Sequence, residues 1–162
     1  MENKEIRLNV RIGAKDLFSF MAYHTYYHLS GLFGIGLSLL ALVTLLAGLG
    51  GDDPVKNIIL LVLGLLFTVI NPLMLFAKAK QQAMNNPMYK ENLCYTLTEE
   101  GISLSLKDTT ESIEWAQILK FKKTKRVCIL YTTQVHAILL PFACMEGNKD
   151  KVVAFIESKV RG

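Results

Sequence analysis

No Asp, Glu, Lys, Arg or His occurs in Leu29–Gly50 or in Ile58–Ala77. Each run has about the 20 residues that a helix needs to cross a hydrocarbon core roughly 30 Å thick, so an ordinary surface helix is excluded and a two-helix transmembrane hairpin is predicted. Cysteine is scarce. Cys94, Cys128 and Cys144 are odd in number and spaced too widely for a CxxC metal knuckle, and each lies in an apolar stretch. Reduced, buried thiols are expected. The chain has no Walker loop, no GxSxG, no HExxH and no telling Cys-His pair, so no catalytic residue, metal or cofactor is predicted and the reading is non-enzymatic. The net charge of +4 is spread along the chain without a basic helix or base-stacking motif, which argues against nucleic acid as a partner. No apolar core lies at the N-terminus. The first run begins at Leu29 and exceeds a signal-peptide core of about 7–15 residues, so it is expected to stay as an anchor.

What is present gives that hairpin a direction. Lys4, Arg7, Arg11 and Lys15 precede the first run; Lys78, Lys80 and Lys90 follow the second. The loop Gly51–Asn57 carries Asp52, Asp53 and one Lys56. Basic residues mark cytoplasmic flanks, so both termini are expected in the cytoplasm of a two-span protein of the cell membrane.

Glu5–Gly13 alternates Ile6, Leu8, Val10 and Ile12 with polar residues, the period of a half-buried strand. A lone strand ahead of a membrane span must join a sheet formed elsewhere, that of its own C-terminal strand region or a neighbour's. Ala14–Tyr27 places Leu17, Phe20, Met21 and His24 on one helical face and clusters Tyr23, Tyr26 and Tyr27 just before the apolar run. Tyrosine there suits the lipid–water interface, so an interfacial helix, or one leading straight into the span, is expected. Within the spans, Ser30, Gly34 and Ser38 recur every four residues, and Gly64 and Thr68 repeat that spacing. Small residues so placed let helix backbones approach. Packing of the hairpin on itself is the first expectation, and a homodimer or a partner membrane protein the other use. Asn71-Pro72 interrupts the second span, and Pro72 should kink it and free the carbonyl of Thr68.

The rest reads as a polar linker over 78–91 and a domain over 92–162, with 1–28 as strand plus interfacial helix and 29–77 as the hairpin. Short apolar segments at Leu93–Thr98, Ile102–Leu106, Thr109–Glu114, Phe121–Thr124, Val127–Tyr131 and His136–Leu140 predict strands, with turns at Glu99–Gly101, Lys107-Asp108 and Lys125-Arg126. Val152, Val153, Phe155, Ile156 and Val160 fall at helical spacing within Asn148–Val160. The expected fold is a membrane α+β protein: a transmembrane helical hairpin plus a small antiparallel β-barrel or sheet, pleckstrin-homology-like, capped by a C-terminal helix.

Tyr95-Thr96-Leu97-Thr98-Glu99-Glu100-Gly101-Ile102, Ile113-Glu114-Trp115-Ala116-Gln117-Ile118 and Ile138-Leu139-Leu140-Pro141, in this order after a strand and two spans, resemble the YcxB-like family of small bacterial membrane proteins. The resemblance implies a membrane protein with a cytosolic pleckstrin-homology-like domain and transfers no activity or site residue. Phe142-Ala143 stand where that family often has basic residues after the proline.

The strongest local charge feature is Lys120, Lys122, Lys123, Lys125 and Arg126, five cations on one predicted hairpin. They form either a solvated strand edge that resists aggregation or a contact for anionic membrane lipid or an acidic partner. Trp115 is expected in the core, and His136, within a strand beside Val135, is expected to be structural or solvent-facing. His24 and His28 share a helical face without an identifiable third metal ligand. The functional expectation is a non-enzymatic, membrane-anchored binding or adaptor protein. The alternative is a small structural subunit that packs through Ser30, Gly34, Ser38, Gly64, Thr68 and Asn71.

Overall fold

The computed structural model describes residues 5–106, 109–134, 136–145 and 147–160. Lys4, Lys107, Asp108 and Val135, which figure in the expectations above, lie outside the described residues. The chain forms two compact units, one from the residues up to Phe20 together with those from Lys80 onward, the other Met21–Ala79.

Among the described residues the first unit holds seven antiparallel strands. β1 (Ile6–Val10), β2 (Leu93–Leu97), β3 (Gly101–Leu106) and β4 (Thr109–Glu114) form one sheet in that order; β5 (Lys120–Lys123), β6 (Val127–Tyr131) and β7 (Ala137–Pro141) form another. β1 pairs with β2 of its own chain, Leu8 opposite Tyr95 and Val10 opposite Leu93, so the residues between these strands are an insertion in one sheet. Alternation explains the register: Leu93, Tyr95 and Leu97 are buried while Cys94 and Thr96 are half-exposed.

The strands do not close into a barrel; they make two open antiparallel sheets. The reason lies after β4. Its sequence, TTESIE, is exposed at five of six positions, a polar edge that resists further pairing. A 3₁₀ turn, Trp115–Gln117, then carries the chain to the second sheet; the Glu114 and Gln117 side chains cap it reciprocally. Inside, Trp115 is buried, its Nε1 donates to the Thr98 carbonyl at 2.9 Å, and its ring meets Phe155 edge-on at 6.0 Å. Phe155 belongs to the last helix, Lys149–Lys159, which buries Val152, Val153 and Ile156. β6 is buried at all five positions, the signature of a strand covered on both faces.

In the second unit, α1 (Ala14–Tyr26), which starts in the first unit, ends and α2 (Leu29–Leu46) begins after a break at Tyr27-His28, so α1 does not run straight into the span. A Cβ on Gly31 would lie 1.9 Å from the Thr25 carbonyl oxygen; the chain doubles back too tightly there for any side chain. α3 (Pro54–Asn85) is one helix of 32 residues interrupted by a π turn at Leu66–Ile70. Asp53 caps it by accepting from the Val55 N–H at 2.9 Å, with Pro54 at the first helical position. The expected linker over 78–91 is mostly helix. Lys78–Asn85 extends α3, because its Lys, Ala, Gln and Met are good helix formers, and Asn86-Pro87 then stops it and caps a short helix, α4 (Pro87–Lys90). The terminal helix Lys149–Lys159 is α5.

α2 and α3 are each long and apolar enough to cross a membrane. Their outward apolar side chains, among them Phe33, Leu40, Val43, Ile58 and Val62, are exposed.

Candidate contact surface

The basic hairpin is built by the β5–β6 pairing, Lys120 opposite Tyr131 and Lys123 opposite Cys128. Thr124 makes its turn: the Thr124 N–H donates to the Val127 carbonyl at 2.9 Å and the Val127 N–H donates to Thr124 Oγ1 at 3.0 Å. Lys125 and Arg126 sit at the tip.

The five cations divide. Arg126 Nε donates to Asp16 Oδ1 at 3.3 Å, and the adjacent Thr124 hydroxyl accepts from Ser19 Oγ at 3.0 Å. Lys123 Nζ reaches Glu157 Oε1 at 2.6 Å, a carboxylate that holds this ammonium above the ordinary lysine value. These two charges are spent inside the unit, clamping the hairpin to the first turns of α1 and to α5. Lys120, Lys122 and Lys125 make no ion pair among the described residues, and Lys120 and Lys125 are exposed. β5 is an edge strand, so the three free ammonium groups lie along an edge and its turn. Sequence reasoning missed Asp16, Ser19 and Glu157, since nothing in a lone acid marks a partner more than 30 positions away.

The small residues of the hairpin serve the second unit itself. A Cβ on Gly34 would meet the Phe67 ring at 2.5 Å, and one on Gly64 would meet Leu42 at 2.6 Å. Ser38 Oγ donates to the Leu63 carbonyl at 2.8 Å and accepts from the Phe67 N–H at 3.3 Å. Thr68 bonds back to the Gly64 carbonyl at 2.6 Å. Ser30 is exposed, against expectation: the buried positions of α2 are Gly31, Gly34, Ser38 and Ala41, a spacing of three, four and three that puts Ser30 about 100° off the contact face. Asn71 closes the π turn, its backbone N–H bonding back to Leu66.

Other singled-out residues fall apart from one another. His24 and His28 pack edge to face at 4.7 Å, and among the described residues no three His, Cys, Asp or Glu groups converge. Glu99 pairs with Lys159 and sits with Glu100 in the β2–β3 turn. His136 lies in the turn before β7 rather than in the strand, its N–H donating to Thr133 Oγ1 at 2.9 Å. Cys94, Cys128 and Cys144 are free thiols.

Residues 97–156 match the model of a family described as YcxB-like protein. Comparison with curated proteins and with solved structures gives no match.

Proposed function

We propose that a chain whose residues 97–156 form a YcxB-like domain is anchored in a membrane by α2 and α3 and uses that domain as a non-enzymatic adaptor that reads anionic lipid head groups. The observation that carries this reading is the division of the basic hairpin: Lys120, Lys122 and Lys125 are left without acidic partners among the described residues. Near an anionic leaflet each would gain about 1 kcal/mol, and tethering on both sides of the helix pair raises the local concentration of the surface.

Three observations support the setting. The apolar faces of α2 and α3 point outward, a patch larger than a water-soluble surface tolerates. Lys and Arg flank the helix pair on both outer sides while Asp52 and Asp53 lie in its loop, which orients both termini to the cytoplasm. The order of four strands, three strands and a helix supports reading the unit as pleckstrin-homology-like, by analogy at the level of topology. A structural subunit remains the second reading; it would have to use the outer, large-residue faces of the helices, because Gly34, Ser38 and Gly64 are already covered.

Acetylation footprinting of the full chain in nanodiscs tests the lipid contact. Anionic phosphatidylglycerol discs should protect Lys120, Lys122 and Lys125 several-fold relative to phosphatidylcholine discs, and high salt should remove the protection. Lys149 and Lys151 on α5 serve as controls. Equal labelling in both discs overturns the lipid contact and leaves an acidic protein as the partner.

A further inference from the structure

A cavity of about 290 Å³ lies between the two sheets of the first unit, lined from β2, β3, β4, β7 and α4. Protein interiors rarely keep voids larger than a water molecule. At the roughly 30 Å³ that one water takes in the liquid, this one has room for about ten heavy atoms.

The lining is mainly apolar, with Leu104 and Ile138 on facing sheets, yet two tyrosines enter it. Tyr95 is only 3% exposed. Its hydroxyl makes no hydrogen bond to the described residues, and it is open to the cavity rather than sealed in the core. Burial raises its pKa to about 12, with the neighbouring Tyr89 adding to the rise, so it remains a protonated donor. The pairing fixes its place. Tyr95 stands opposite Leu104, and Leu104 opposite Glu111, so hydroxyl, aliphatic wall and carboxylate form one row across three strands. Glu111 and His136 are the exposed members of the lining. Neither Lys nor Arg lines the cavity.

We propose that this cavity binds a small neutral amphiphile: an apolar body of about ten heavy atoms whose single oxygen accepts the Tyr95 hydroxyl. A hydroxyl that opens onto a mainly apolar cavity without a protein acceptor offers its proton to such an oxygen. An anionic head is disfavoured by Glu111 and has no cation to meet it. A cationic head would waste the donor. The site is separate from the basic hairpin and holds whether or not that hairpin meets lipid.

The test uses 1-octanol bearing a diazirine on the full chain in nanodiscs, with photolabelled residues mapped by mass spectrometry. Labelling in Leu93–Leu106 and Ala137–Pro141 should saturate and fall at least five-fold with excess 1-octanol. Labelling of α2 and α3 from the lipid phase should not fall. Leu104→Trp, which fills the cavity, should abolish the saturable labelling. Tyr95→Phe keeps the ring and the volume; it should raise the octanol needed for competition about ten-fold, and it carries the test should Leu104→Trp not fold. Octane should compete at least ten-fold less well than octanol on the native chain. Cavity labelling that excess octanol leaves unchanged overturns the proposal. So does equal competition by octane and octanol, or a Tyr95→Phe chain, folded by circular dichroism, that behaves as the native one.

Discussion

The Tyr26 hydroxyl donates to the Phe67 carbonyl at 3.1 Å, and the reason lies five residues further on. In the π turn the Asn71 N–H bonds back to Leu66, so Phe67 loses its ordinary helical donor. The next candidate is Pro72, which has no N–H. The Phe67 carbonyl therefore goes short as well as that of Thr68, whose ordinary donor would be Pro72 itself, and the tyrosine supplies a proton to Phe67. Tyr26→Phe should cost the helix pair about 1 kcal/mol, in line with hydrogen bonds between membrane helices. The cost should shrink in a Pro72→Ala background, where a donor returns. Amide exchange over Phe67–Leu73 in nanodiscs reads both; an unchanged exchange rate in Tyr26→Phe refutes the account.

Asp16 spans 110 positions to Arg126 while its other oxygen accepts the Gly13 N–H at 3.1 Å. The carboxylate thus caps α1 and pins the basic turn at once. Asp16→Ala should lower stability by about 1–2 kcal/mol, the worth of a cap; the ion pair adds little because Arg126 is half-exposed. For a domain of this size that is roughly 4–8 °C in Tm per kcal/mol. Asp16→Asn, which keeps the Gly13 bond, should recover about half, as thermal melts of the full chain would show.

Trp115→Ala should cost about 3–5 kcal/mol, as for other buried large-to-small changes, because the ring fills space beneath Phe155. Trp115→Phe should still cost about 1–3 kcal/mol, since the Thr98 carbonyl loses its donor. Urea titration followed by circular dichroism separates the two.

Gly31 and Gly34 look alike in the sequence but fail differently. An alanine at Gly31 meets a backbone oxygen, which cannot yield; one at Gly34 meets the Phe67 ring, which can turn. Gly31→Ala should therefore destabilise the helix pair more than Gly34→Ala, the latter within the roughly 1–3 kcal/mol of ordinary overpacking. Thermal unfolding in detergent ranks them, and the reverse order would contradict this geometry.

Burial pushes the Cys128 thiol up to about 12 from 9.0, and Tyr95 to about 12 from 10.0. Both folded-state values exceed the unfolded ones. The unfolded chain thus binds fewer protons above pH 9, and stability falls as pH rises from 9 toward 12. Below pH 9 the contribution is fully present. Cys128→Ala should flatten the alkaline limb of a Tm–pH curve. In the native chain Cys128 should resist iodoacetamide at pH 8 while the half-buried Cys94 and Cys144 react, as peptide mass spectrometry would record.

Local pattern carried the strands far. Alternation in Ile6–Val10 and the apolar run Val127–Tyr131 located β1 and β6; a lone strand's need for a partner was legible, but whether that partner lay in the same chain, as the β1–β2 pairing shows, was not. The end of α3 was illegible because charge and polarity in Lys78–Asn85 suggest a linker while its Lys, Ala, Gln and Met favour helix. Barrel and open sheet stood as alternatives in the sequence because closure depends on the edges that β4 presents, not on strand count. At the hairpin, five cations were visible but their partners were not. Asp16 and Glu157 reach Arg126 and Lys123 only through the fold, and the cavity beside Tyr95 exists only where two sheets fail to fill the space between them.

The pairing of β1 with β2 across the apolar helices has a consequence for biosynthesis. About 80 residues separate the two strands, so at roughly 5–20 residues per second the ribosome delivers the second some 4–16 s after the first. Throughout that interval β1 waits unpaired at the chain's start while the apolar helices are being made. The sheet is completed only after those helices have been made, so the apolar helices are the earlier product of synthesis and the folded sheet the later one.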